Sequence, residues 1–185
     1  MNIAGGRPDG PDGGGPNISG ELSELEFAII NLSYGFARWV ETCMAASGTR
    51  GLSATDILVL HAVNHRARGR RLAEICMVLN IDDTHLVAYA LKKLVAAGLA
   101  VVRRIGRESH YESTLKGDEV CLAYRSIREE FLVTSVRWLT DGRPLSMLPE
   151  TTLLLRTLTA LYDQAGRSAT ASTSGPLPPP VRTKR

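Results

Sequence analysis

The chain is expected to be mainly α with a small β-hairpin. Apolar residues recur at helical spacing in six separate stretches, whereas strand-like runs occur only on either side of Gly106-Arg107. Hydrophobic residues make up 44% of the 185 positions but aromatics only 5%, so Leu, Val, Ile and Ala must fill the core. The length suits one domain with appendages. The folded body is expected over 21–166, between two tails at 1–20 and 167–185.

The first helix is predicted over about 21–46. Leu25, Ile29, Leu32, Phe36, Trp39/Val40 and Cys43 recur at steps of three and four, a seam fit to pack along another long helix. Ser47-Gly48 and Gly51 break it. Ser53 and Asp56 have the spacing of a capping box for a second helix, about 54–65. That helix is apolar on several sides (Ile57, Leu58, Val59, Leu60, Ala62, Val63), which predicts a place in the middle of the fold. A basic turn, HRARGRR, leads to a short helix reaching about 78, with Leu72, Ile75, Cys76 and Leu79 on one face. Asn80 to Asp83 form a turn. Asp83 suits the N-cap of a helix over 84–97, and Gly98 suits its C′ position. Leu99–Ile105 and Glu108–Ser113 then make the hairpin. Thr114 can cap a second long helix over about 115–139, with Val120, Tyr124, Ile127, Phe131 and Leu132 as its seam. Asp141-Gly-Arg-Pro stops it, and a Leu-rich helix follows over about 149–165.

The two ends read differently. Residues 1–20 are rich in Gly and Pro and have little apolar surface to bury, so a disordered tail is expected. Residues 167–185 repeat the pattern: Pro178–Pro180 favour an extended segment, and Arg182, Lys184 and Arg185 make the tail basic. The N-terminus has no apolar stretch of a secretory signal, and no run is long enough for a membrane helix. Cys43, Cys76 and Cys121 are odd in number and widely spaced, with no CxxC pair. A disulfide framework is therefore not expected, and a reducing cytoplasmic setting fits.

A short helix, a four-residue turn, a second helix and a hairpin together make a winged helix-turn-helix, here over 53–114. The long helices at 21–48 and 115–166 are not needed for that small core, so they are expected to be dimerisation helices. On the second helix of the motif, Val87, Ala90, Leu91 and Leu94 face the core. His85, Ala88, Tyr89, Lys92 and Ala96 share the opposite face, which has no carboxylate. Such a face can be presented to base edges and phosphates in a major groove. Asp82 counts against this, because a carboxylate near phosphates repels; Asp83 is accounted for as a cap.

Charge is concentrated on the same motif. From Arg66 to Lys116 there are ten cations (Arg66, Arg68, Arg70, Arg71, Lys92, Lys93, Arg103, Arg104, Arg107 and Lys116) and five anions. The segment is thus +5 in a chain of net +3. That is the footprint of phosphate contact. Arg70 and Arg71, Lys92 and Lys93, and the wing residues Arg103, Arg104, Arg107 and His110 are the candidate DNA-side residues.

The runs LSATDILVLHAV and RLAEICMVLNIDDTHLVAYALKKLVAAGLAVVRR, the hairpin, and STLKGDEV resemble the MarR family of winged-helix regulators over roughly 25–165. The resemblance implies a dimer whose first and last helices interlock, with two winged lobes one DNA turn apart. It also implies a cytoplasmic transcriptional regulator of double-stranded DNA, a repressor released by a small-molecule or stress signal. Family base contacts fall on Thr84, His85, Ala88 and Tyr89, and phosphate contacts on Lys92 and the wing arginines. The wing departs from the family: IGRESHYEST is shorter and lacks the bracing Asp-x-Arg element. Its GR…Y pattern is closer to ArsR- or PadR-like wings.

Other chemistries find little support. No Ser/His/Asp ordering, phosphate-binding Gly loop or HExxH is present, so no enzyme and no cofactor are expected. His61 and His65 lie one helical turn apart, but two ligands do not make a metal site. The cysteines read as small core hydrophobes. The rival of a different class is a winged-helix module that binds protein and not DNA.

Overall fold

A computed structural model of the chain describes residues 17–65, 69–139 and 147–173. It divides into two compact units, one up to Val133 and one from Thr134. The first contains α1 (Ile18–Ala46), α2 (Ala54–Asn64), α3 (Leu72–Leu79), α4 (Thr84–Ala96), β1 (Ala100–Ile105), β2 (Glu108–Ser113), α5 (Leu115–Ile127) and a π-helical segment (Arg128–Val133). The second contains α6 (Thr134–Leu139) and α7 (Met147–Thr173).

In the first unit α2 is the hub, packing against α1, α3, α4, α5 and β2. This follows from its nearly all-apolar surface: Ile57, Val59, Leu60, Ala62 and Val63 are all buried. Around it lie Met44 from α1, Ile75 from α3, Leu91 and Leu94 from α4, and Leu99. Each fully buried aliphatic side chain contributes about 1.5–3 kcal/mol relative to an exposed one. The three cysteines are free and buried in this core.

The helix boundaries have local causes. Ser53 caps α2: its hydroxyl accepts from the Asp56 N–H (3.3 Å), while the Asp56 carboxylate accepts from the Ser53 N–H (2.8 Å). Asn80 ends α3 in the left-handed region at φ 52°. Asp83 caps α4 through the His85 N–H (2.9 Å). Gly98, at φ 71°, turns the chain out of α4 while the Leu99 N–H donates to the Leu94 carbonyl (2.9 Å). Thr114 caps α5 through the Gly117 N–H (3.1 Å), and its own hydroxyl donates to the Gly98 carbonyl (2.7 Å). Gly117 must be glycine for a different reason. A Cβ there would press into the Leu99 carbonyl oxygen.

β1 and β2 are antiparallel from Ala100↔Ser113 to Ile105↔Glu108. Gly106, with positive φ, takes the first position of the two-residue turn, as a type II′ hairpin requires. The hairpin gains a third partner absent from the sequence reading. Arg70 exchanges both backbone hydrogen bonds with Tyr111 (2.9 and 2.8 Å).

Three boundaries differ from expectation. The helix predicted without a break over 115–139 passes through the π segment. Hydrophobic periodicity does not reveal one turn with i→i+5 bonding. α1 starts at Ile18, because Asn17 supplies a cap by accepting from the Gly20 N–H (3.1 Å). α7 runs through Thr173, into the stretch read as a tail from 167. There Thr170 and Ser172 hydroxyls donate to the carbonyls of Gly166 and Ser168, so these polar residues bond back onto the helix. The rest of the two expected tails, and Arg66 and Arg68 of the basic turn, lie outside the described residues.

Candidate nucleic-acid interface

The core face of α4 is the predicted one, with Val87, Ala90, Leu91 and Leu94 buried. Its other face is open: Thr84, His85, Ala88, Tyr89 and Lys92 are exposed, Tyr89 to 71%. Leu86 is exposed too. The wing tip presents Arg104 and Arg107, both exposed. Neither they nor Lys92 form an ion pair among the described residues. α4 also packs against β1, so the helix face and the wing belong to one lobe.

The remaining predicted residues are engaged within the protein. Lys93 donates to the buried Asp56 carboxylate at 2.6 Å, tying α4 to the start of α2. Burial alone would raise the Asp56 pKa. Hydrogen bonds from Lys93 and Ser53 outweigh it and hold the carboxyl below its ordinary value. Arg71 pairs with Glu74 (3.3 Å) and with Glu108 of β2 (3.0 Å), joining α3 to the wing. Arg103 pairs with Glu112 across the hairpin (2.7 Å). Half-buried His110 lies with Nδ1 3.4 Å from the Gly69 carbonyl and Nε2 3.7 Å from Glu108. Arg70 is only 7% exposed. Its backbone joins the hairpin through the bridge to Tyr111. Lys116 donates to the Ala97 carbonyl at the end of α4 (3.0 Å).

Some of these pairings had a sequence signal. On β2, Glu108, His110 and Glu112 share a face, and the register sets Arg103 opposite His110 and diagonal to Glu112. The Lys93–Asp56 pair spans two helices and had none. The sequence reading also passed over Met77 and Val78 on α3, both exposed.

His61 is half-buried beside α5. Its ring meets Tyr124 edge-on, centroids 4.5 Å apart, and its buried Nε2 has no hydrogen-bond partner among the described residues. Burial, aided by Arg125, lowers its pKa. Burial pushes the Cys121 thiol up to about 11 and raises that of Cys43.

A Winged helix DNA-binding domain family model matches residues 52–117. No curated protein sequence matches the chain. Several solved structures do. Reduced AbfR bound to DNA is 18% identical, with 81% of this chain and 97% of that one covered and a TM-score of 0.62. The MarR family transcription regulator SP03579 is 17% identical, with coverages of 81% and 97% and a TM-score of 0.60. CouR bound to a 23-mer DNA duplex is 23% identical, with coverages of 77% and 96% and a TM-score of 0.58. CouR from Rhodococcus jostii RHA1 also matches in its complex with p-coumaroyl-CoA, at 14% identity, coverages of 72% and 90% and a TM-score of 0.58. The chain has the winged-helix fold of MarR-family regulators.

Proposed function

We propose that this chain, with the fold of the MarR regulators as premise, is a sequence-specific double-stranded DNA-binding transcriptional regulator. It acts as a dimeric repressor in the cytoplasm, is not an enzyme, and releases DNA on a small-molecule or stress signal. The observation that carries the reading is the conjunction on one lobe of an exposed, carboxylate-free α4 face with three cations that have no ion pair among the described residues, Lys92, Arg104 and Arg107. AbfR and one CouR, of like fold, are DNA-bound in their structures, and the CouR of Rhodococcus jostii RHA1 is bound to p-coumaroyl-CoA in its own. In this chain Thr84, His85, Ala88 and Tyr89 face bases, and Lys92, Arg104 and Arg107 face phosphates. Lys93, Arg71 and Arg103 hold the lobe together.

Dimerisation accounts for the exposed apolar residues Phe27, Leu32 and Phe36 of α1 and Leu153, Leu154 and Leu161 of α7. The test of function is fluorescence anisotropy with duplexes selected from a random library and with scrambled controls. His85→Ala and Tyr89→Ala should lower the ratio of selected to scrambled affinity. No salt-sensitive binding to any duplex would favour a protein-only module, to which exposed Met77 and Val78 of α3 would then belong. Sedimentation tests the dimer, and a folded monomer at micromolar concentration would sink it.

A further inference from the structure

Given DNA binding, the chemistry of α4 limits what its exposed face can read. Discrimination of a base pair in the major groove uses Arg or Lys on guanine, Asn or Gln on adenine, a carboxylate on cytosine, or an apolar group on the thymine methyl. α4, THLVAYALKKLVA, contains no Arg, Asn, Gln, Asp or Glu. Lys93 is held by Asp56. The Asp83 carboxylate is held by the His85 N–H, and Asp82 lies in the turn before the cap. His85 can offer one hydrogen bond to a purine N7, an atom that adenine and guanine share. Lys92 stands one turn beyond Ala88 and is the face's single free cation among the described residues.

The Thr84 and Tyr89 hydroxyls can donate or accept and so select no base by themselves; the rest of the exposed face is apolar, with the methyl groups of Thr84 and Ala88 one turn apart on one strip and the Tyr89 ring beside them. One turn rises about 5.4 Å, so the two methyls can address neighbouring or next-neighbouring base pairs. We propose that this face reads thymine C5-methyl groups, and that Thr84, Ala88 and Tyr89 set specificity by excluding water from them. A G·C pair in the same place offers no methyl, so the apolar contact that an A·T pair gives these side chains is lost. The inference deepens the DNA-binding reading and rests on it.

The experiment uses the full chain and the selected duplexes. Thymine is replaced by uracil one position at a time, in both half-sites together. Uracil removes the methyl and leaves every base-pairing and groove hydrogen-bonding group in place. Burying one methyl is worth roughly fourfold in affinity, so the paired substitution should weaken binding roughly fifteenfold at the contacted positions and nowhere else. Thr84→Ser removes a protein methyl but keeps the capping-turn chemistry. It should erase the uracil effect at one position, and Ala88→Gly at another. If duplexes bind but uracil is neutral at every position, or the selected half-sites are read through G·C pairs, this inference is overturned and DNA binding stands. If no duplex binds at all, both readings fall.

Discussion

Replacing Lys92 by Ala should flatten the salt dependence of DNA binding, whereas replacing its neighbour Lys93 should not. The two lysines are neighbours, and the helical period sets Lys92 but not Lys93 on the outward face of α4. Lys92 is exposed and unpaired among the described residues; Lys93 Nζ lies 2.6 Å from the Asp56 carboxylate. In the proposed dimer, Lys92, Arg104 and Arg107, without an ion pair among the described residues, would bring six cations to phosphates. The slope of log K against log salt should then be about −5. Lys92→Ala removes two of the six and should bring the slope up by about 1.8. Lys93→Ala should leave the slope alone. Its effect is on folding: buried Asp56 loses its lysine donor, which costs about 1–3 kcal/mol and lowers Tm by several degrees. Anisotropy over a salt series, with urea unfolding of the same samples, reads both quantities. Equal flattening by the two variants would refute the division between phosphate-facing and structural cations.

Four further outcomes follow from the same structure. Gly117→Ala should destabilise by about 3 kcal/mol, because the carbonyl it would strike belongs to the backbone and cannot swing aside; unchanged urea unfolding would deny the close approach. Mild peroxide should leave DNA affinity unchanged, since burial raises the Cys43 and Cys121 thiols and leaves little thiolate to react; a thiol-reversible loss abolished by Cys43→Ser would overturn this. His61 is neutral when folded and its pKa is depressed, so the unfolded chain takes up its proton first. Stability should hold above about pH 6.5 and fall as pH drops below it; His61→Phe should lessen that fall, and an identical pH profile for parent and variant would contradict it. Asp82→Asn should tighten binding to every duplex at low salt by removing an exposed carboxylate from the start of α4; weaker binding would show that Asp82 accepts from the DNA.

How far the sequence could be read depended on how local each cause was. The Ser53–Asp56 box, the Asp83 cap, Gly98 after α4 and the Gly106 turn each act within a few residues, and each was legible. The core face of α4 was legible because a 3.6-residue period leaves one choice of face. The burial of Arg70 and its backbone bridge were not, because the bridging partner, Tyr111, lies far along the chain. The π segment was not, because apolar spacing does not register one wide turn.

Counting charge had the same weakness. A net +5 over Arg66–Lys116 treats every cation as available to an anion outside the protein. The carboxylates in and around the lobe are not spread at random. Asp56, Glu74, Glu108 and Glu112 stand where Lys93, Arg71 and Arg103 can bind α4 to α2, α3 to the wing and one wing strand to the other. A cation so held orders the lobe but contributes little to counterion release, since its charge is already met. The same acids that lower the net charge therefore fix the geometry in which Lys92, Arg104 and Arg107 are left without an ion pair among the described residues. Neutralising them to make the lobe more basic should loosen α4 and the wing rather than improve recognition.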